Sequence, residues 1–398
     1  MNLPQRLGPL EIDTMRGATG RLLDRTPLPD LRTLRLEQAS GLLRRHGDVL
    51  EADPHGEPVV RGEIVAWSPS PAALAAAAGA GLSVAREQRL GELDEAVVVL
   101  RVPAGIGTAA MLERLRALDP GGTYDLNHVY TGSGGATGGA AGAGAAPSAR
   151  AGTVRVGLVD GGVDTGHDVF RDADVRRWGC GGDAHPGAHG TAVAALMVGQ
   201  SERFRGVAPG AALYAADIYC DSPTGGSADR IAGALGWLAR EGVGVINLSL
   251  VGPPNLALER VVAAMVRRGH LLVAAVGNDG PAAPPLYPAS YPGVIGVSGV
   301  DRRGKPLPEA ARGPQVLFAA PGNNMVSAAP GAPPYRQVRG TSFAAPIVAA
   351  LLARSLAAPS PASAKDAVAA LARQAEHADD TGYGIVGATF RTDPSEFR

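Results

Sequence analysis

Apolar and polar positions along the chain fall into two regimes, divided by a stretch with no period at all. Between residues 61 and 130, Glu63 to Trp67, Leu82 to Gln88, Ala96 to Val102 and Thr123 to Tyr130 read as strands. Pro71 to Ala80 and Ala109 to Ala117 read as helices. The order strand, helix, strand, strand, helix, strand predicts a small α+β ferredoxin-like sandwich. From Thr131 to about Gly152 the chain reads TGSGGATGGAAGAGAAPSARAG, small residues without periodicity that predict an exposed, flexible linker. Beyond it, aliphatic runs such as Val154 to Val159 and Leu213 to Tyr219 read as strands buried on both faces of an α/β sheet. Residues 1 to 60 carry less pattern. Leu34 to His46 fits an amphipathic helix with Arg on its outer face, the rest is rich in Pro, Arg and Asp, and partial disorder is expected there.

Chemistry concentrates in three short segments of the second regime: VGLVDGGVD, HGTAVAALM and GTSFAAPIVAA, which carry Asp160, His189 and Ser342 in that order. Asp160 closes a buried strand, at the carboxyl edge where open α/β sheets build sites. His189 follows a Gly/Pro-rich loop and opens an Ala-rich helix. Ser342 starts another helix, after Gly340 permits a tight turn and with Pro346 expected near the first turn. A serine hydroxyl is a weak nucleophile that needs a base, and the base needs a group that fixes its tautomer. Asn278, in VAAVGNDGP after a further strand, supplies an amide for a developing oxyanion, together with the Ser342 N–H at its helix N-terminus. Taken singly, such an Asp is a turn former, such a His a satisfied core group and such a Ser a helix cap; the four together in this order outweigh those readings. Asp164 and His167 read as ordinary loop residues, and Asp183 with His185 lacks metal-ligand spacing.

With these residues the chain resembles the subtilisin-like serine proteases, whose triad runs Asp, His, Ser. The likeness covers roughly residues 153 to 390 and includes FRGVAPGAAL, VINLSL, YPASYPGVIGVSGVD and GYGIVGA. It implies a mostly parallel sheet with helices on both faces over residues 153 to 392, and a serine endopeptidase acting through an acyl-enzyme on Asp160, His189 and Ser342. The unit at 61 to 130 looks like the propeptide of such enzymes, which chaperones folding and caps the active site, so a self-processed zymogen is expected. In the resembled family one wall of the primary pocket is a Ser-Leu-Gly strand. Here it is Ser249, Leu250 and Val251, and Leu286 stands before Tyr287 and Pro288 on a second wall. Two branched side chains in place of small ones predict a pocket narrowed toward Ala and other small groups. Gly225, Gly226 and Ser227 match the opposite edge, which pairs with an extended substrate.

The remaining features bound the setting. A net charge of −1 offers no basic field for nucleic acid, and no apolar run reaches the roughly 18 residues of a membrane span. Cys180 and Cys220 make an even pair on two loops of the second unit; a disulfide and two buried thiols are the alternatives. Residues 1 to 30 hold no apolar signal core, because Arg6, Glu11, Asp13, Arg16 and Arg21 interrupt it. A bridge favours a periplasmic or secreted protein, two thiols a cytoplasmic one. No cofactor is expected. Calcium is common in the resembled family, yet no Asp/Asn-rich loop can be named as its ligands. Polypeptide substrates, and the chain's own propeptide as an intramolecular inhibitor, are the expected partners. Two rivals remain: an α/β-hydrolase, disfavoured because GTSFA lacks the second glycine of GxSxG, and a catalytically silent, peptide-binding relative.

Overall fold

Residues 31–132 and 154–397 are described by a computed structural model of the chain. The leader before residue 31 and most of the expected linker lie outside them.

The first unit begins with helix α1 (Leu31–Arg45), followed by β1 (Leu50–Ala52), β2 (Pro58–Trp67), α2 (Pro71–Gly79), β3 (Ser83–Leu90), β4 (Glu95–Arg101), α3 (Thr108–Leu118) and β5 (Thr123–His128). Ser70 sets the start of α2 by accepting the Ala73 N–H at 3.1 Å, and Pro71 stands where its missing donor is not needed. The strands form one antiparallel sheet in the order β5-β2-β4-β3, the ferredoxin-like arrangement. Helix α3 buries Met111, Leu112 and Leu115 against Ile64, Val98, Leu100 and Leu126 on one face of it. The helix expected over Leu34–His46 spans Leu31–Arg45; it packs Leu42 and Leu43 near Leu50 and Val60, and β1 pairs antiparallel with Pro58–Val60. One expectation about these elements needs correction. The linker does not start at Thr131, because Thr131–Gly132 forms strand β6, paired with a strand of the second unit.

The second unit is built on seven parallel strands: β7 (Arg155–Asp160), β8 (Val175–Trp178), β9 (Ala212–Asp217), β10 (Val245–Leu248), β12 (Leu271–Ala275), β13 (Ile295–Val300) and β14 (Val316–Pro321). Their order is β14-β13-β12-β10-β7-β9-β8. Alternate residues of each strand face opposite layers, as the pleat requires. Val156, Leu158 and Val273 meet α4 (Ala188–Val198) and α7 (Thr341–Ala353) on one face. Val159, Ile246 and Leu272 meet α5 (Ala228–Arg240) and α6 (Leu256–Arg267) on the other. Both faces are covered, so the strands read as continuous aliphatic runs. Short strand β11 (Leu250–Val251) continues from β10, and the hairpin β15 (Met325–Ala328) with β16 (Tyr335–Val338) precedes α7.

The free face of the small sheet lies on α5. Val65, Leu90 and Val97 join the core of the second unit. A Cβ on Gly236 would fall 2.4 Å from Leu90 Cδ2, so close approach needs glycine there. Polar groups complete the junction. Leu256 at the start of α6 donates its N–H to Asp125 Oδ2 at 2.8 Å, and Arg86 bridges Glu63 and Asp229 at 2.6 and 2.9 Å.

Candidate active site

Asp160, His189 and Ser342 come from the end of β7 and from the second residue of α4 and of α7. His189 Nδ1 lies 2.9 Å from Asp160 Oδ1, which also accepts the Gly161 N–H at 2.6 Å. The carboxylate and hydroxyl are almost fully buried, and the ring nearly so. Burial pulls the His189 imidazole toward neutrality; the Asp160 charge and hydrogen bond outweigh it and raise its pKa above the ordinary value. The His189 ring stands 5.3 Å from the ring of Phe343, the residue after Ser342. His189 Nε2 and Ser342 Oγ are both buried and have no hydrogen-bond partner among the described residues, which leaves the outer nitrogen and the hydroxyl available for chemistry.

Asn278 follows β12. Its Oδ1 accepts the Thr341 N–H at 3.0 Å, tying it to the turn that carries Ser342, and a Cβ on Gly340 (φ +133) would fall 3.2 Å from its Nδ2. Pro346 lies past the first turn of α7, not within it. A proline there cannot donate to the Ser342 carbonyl, and that carbonyl accepts the Ser249 hydroxyl instead, at 2.9 Å.

The residues read from the sequence as substrate edges come together around β6. Thr131 and Gly132 pair antiparallel with Val251 and Leu250, while Val129 bridges Ser227 and Tyr130 donates its N–H to Gly226 O at 2.8 Å. The end of the first unit is thus an extended strand laid between the two edges that the sequence marked, beside His189: a Cβ on Gly132 would stand 4.0 Å from Nδ1. Gly225 lies against the Tyr219 backbone. Val251 and Leu286 are buried and converge on Gly277, 3.6 and 2.5 Å from where its Cβ would be.

Cys180 and Cys220 form a disulfide joining the loops that follow β8 and β9. His167 is buried with Nε2 at 2.7 Å from Pro334 O, and His185 Nδ1 lies 3.2 Å from Asp221. Among the described residues the one three-membered cluster of metal-type ligands is Cys180, Asp217 and Cys220. Its sulfurs are bonded to each other, and calcium takes oxygen ligands, so this cluster does not fit that ion.

Sequence reasoning missed several neighbours. Asp217 sits beside Asp160 in the β7–β9 register, and burial, with Asp160 nearby, raises its pKa despite the Tyr219 and Cys220 N–H donors. Arg35 of α1 lies 2.7 Å from Asp279, the residue after Asn278, and also pairs with Glu57. Their partners lie far away in the chain, and no local motif marks them.

The model of the subtilase family matches residues 151–387. The chain belongs to the subtilase family. Like other subtilases it is similar to M-protease of Shouchella clausii, 36% identical over 213 residues that make 50% of this chain and 54% of that one. The chain therefore spans about half the length of this curated relative. The protease domain of PatA, solved as a point mutant, superposes with TM-score 0.54 at 28% identity, covering 61% of this chain and 94% of that one. Fervidolysin from Fervidobacterium pennivorans, at 21% identity, shares the fold with TM-score 0.68 over 86% of this subtilase and 62% of its own chain. Among the described residues no helix is long and apolar enough to cross a membrane.

Proposed function

We propose that this subtilase is a serine endopeptidase that hydrolyses peptide bonds through an acyl-enzyme, made as a zymogen that processes itself. Ser342 attacks the scissile carbonyl, and His189 takes its proton and returns it to the leaving amine. Asp160 holds the imidazole tautomer and stabilises its charged form, and Asn278 with the Ser342 N–H receives the oxyanion. The observation that carries this reading is the 2.9 Å contact of His189 Nδ1 with Asp160, on a ring whose other nitrogen, like the Ser342 hydroxyl, has no hydrogen-bond partner among the described residues. The zymogen reading rests on strand β6, which fills the groove as a peptide substrate would. Val251 and Leu286, converging on Gly277, support a pocket for small side chains. The disulfide favours a periplasmic or secreted setting.

A fluorophosphonate probe tests the central claim. Intact mass of the full chain is expected to gain one adduct, lost in Ser342→Ala, and to show a separate fragment ending in the Gly/Ala-rich stretch. A chain that sheds its first unit yet never labels favours the silent, peptide-binding relative.

A further inference from the structure

Asp217 ends β9 beside Asp160. Its Oδ1 accepts the Tyr219 and Cys220 N–H groups, each at 3.0 Å, and these fix the carboxylate; among the described residues no lysine or arginine pairs with it. One carboxylate oxygen of Asp217 and the sulfurs of Cys180 and Cys220 all lie within 4.8 Å of one another. Beside them is a cavity of about 220 Å³, bordered by Asp217, Gly162, Trp178, Gly182 and His185. A Cβ on Gly162 would fall 2.8 Å from Asp217 Oδ2, so the chain keeps the approach to that oxygen free of a side chain. Two sulfurs and one carboxylate oxygen at this spacing are a donor set for zinc. The disulfide withholds it, because only a thiolate ligates. That bridge is placed to open. Both cysteines are half-buried, and Cys180, Cys220 and Asp221 hold φ of +54, +50 and +50, the left-handed region that side-chain-bearing residues avoid. Bridges that are strained or exposed are the labile ones. At Gly181 and Gly182 (φ +65 and +98) an added Cβ would meet nothing within 4 Å, so the loop after β8 has room to shift as the sulfurs part.

We infer that Cys180, Cys220 and Asp217 form a zinc site once the disulfide is reduced, with the fourth position open to the cavity beside His185. A dithiol reductant supplies the two electrons: exchange turns the bridge into two thiols and the dithiol into its own cyclic disulfide. Zinc then displaces both thiol protons, which pass to solvent, and takes the two thiolates and the Asp217 carboxylate as ligands. Thiolates select zinc over the hard ions calcium and magnesium. The loops after β8 and β9, which lead to His189 and to the Gly225 edge, are thus fastened covalently in an oxidising compartment and by a metal in a reducing one.

The test uses the full-length chain carrying Ser342→Ala, so that the proposed self-processing does not intervene. It is compared oxidised and after reduction by a phosphine, which gives up the same two electrons without competing for the metal as a dithiol does. In native mass spectrometry the reduced chain is expected to gain one zinc less two protons, and the oxidised chain none. Cobalt(II) in place of zinc is expected to give a thiolate-to-metal charge-transfer band that added zinc abolishes. Competition with a chromophoric chelator is expected to show zinc weakened by at least about 10-fold in Asp217→Asn, and no zinc held by the paired Cys180→Ser and Cys220→Ser variant. Zinc is also expected to raise the thermal midpoint of the reduced chain and leave that of the oxidised chain unchanged, a reading that depends on no further variant. Zinc held equally by both redox forms, or absent from the reduced chain, overturns the site. Zinc held as tightly by Asp217→Asn as by its parent also overturns it, since two cysteines of a loosened chain would then suffice.

Discussion

The Ser249 hydroxyl donates to the main-chain carbonyl of Ser342 at 2.9 Å, standing in for the helical N–H that Pro346 lacks. Removing it strands a buried carbonyl at the base of the proposed nucleophile. Ser249→Ala is expected to lose about 1–3 kcal/mol of stability by urea denaturation, whereas Ser249→Thr, which keeps the hydroxyl, loses less. Equal stability of Ser249→Ala and wild type would deny the bond any role.

Asp160 supplies the negative charge beside His189, so Asp160→Asn is expected to keep the fold and lower kcat by about 10⁴-fold. The circular dichroism spectrum serves as the control for folding. A loss below tenfold, roughly 1.4 kcal/mol of barrier, argues against the proposed role of Asp160.

Acidity acts on His189 with a definite sign. Its pKa is raised, so the protonated form persists past pH of about 6.5, and the base is available only above the raised value. The kcat/KM profile is expected to climb through an acid limb whose midpoint lies above that of free imidazole. Stability runs the opposite way: the contact with Asp160 contributes fully below the free pKa and fades as pH rises through the raised one.

Arg86 holds two buried carboxylates, Glu63 of the first unit and Asp229 of the second. Burial pushes the Asp229 pKa up, but the Arg86 charge and hydrogen bonds from Ser227 and Asn127 pull it below the usual carboxylate range. Its contribution to docking is therefore complete above the free value of about 3.9 and lost as pH falls through the depressed one. With the chain cut between the two units, dissociation of the first unit, followed by size exclusion, is expected to set in only below pH of about 4. Arg86→Ala, which leaves Asp229 without a cationic partner while Glu63 keeps Arg101, is expected to weaken the docking at neutral pH and to speed digestion of the first unit by an added protease.

The disulfide closes a separation of 40 residues, for which chain entropy gives about 4 kcal/mol. Paired Cys180→Ser and Cys220→Ser substitutions are expected to lower stability by about 2–4 kcal/mol. A reductant in the calorimeter reproduces the drop in wild type and leaves the double variant unchanged.

Legibility divides along physical lines. The pairing of Asp160 with His189 and the place of Ser342 at a helix start are legible, because the chemistry proposed for them needs those residue types where a strand ends or a helix begins, and buried parallel strands demand long aliphatic runs. The βαββαβ order is equally plain, since each element carries its own period. Contacts between distant faces carry no such mark. Arg86 meets Asp229 across 143 residues, and nothing in SVAREQRL or GGSADRIAG hints at it. Small residues mislead in one place. Thr131 and Gly132 have the composition of a tether, yet the pairing offered by Val251 and Leu250 makes them a strand. β1 is too short to show a pattern and exists because β2 runs on past the sandwich to receive it.

Because β6 is covalently attached to the unit whose groove it fills, any foreign peptide competes against an occupant held at an effective concentration of about millimolar. In the proposed zymogen, severing that attachment lets the occupant dilute away, and each molecule so emptied can sever others. The appearance of activity in a fresh preparation is therefore expected to take an autocatalytic course: a lag that shortens as protein concentration rises, then a steep climb, rather than a constant rate from the first minute.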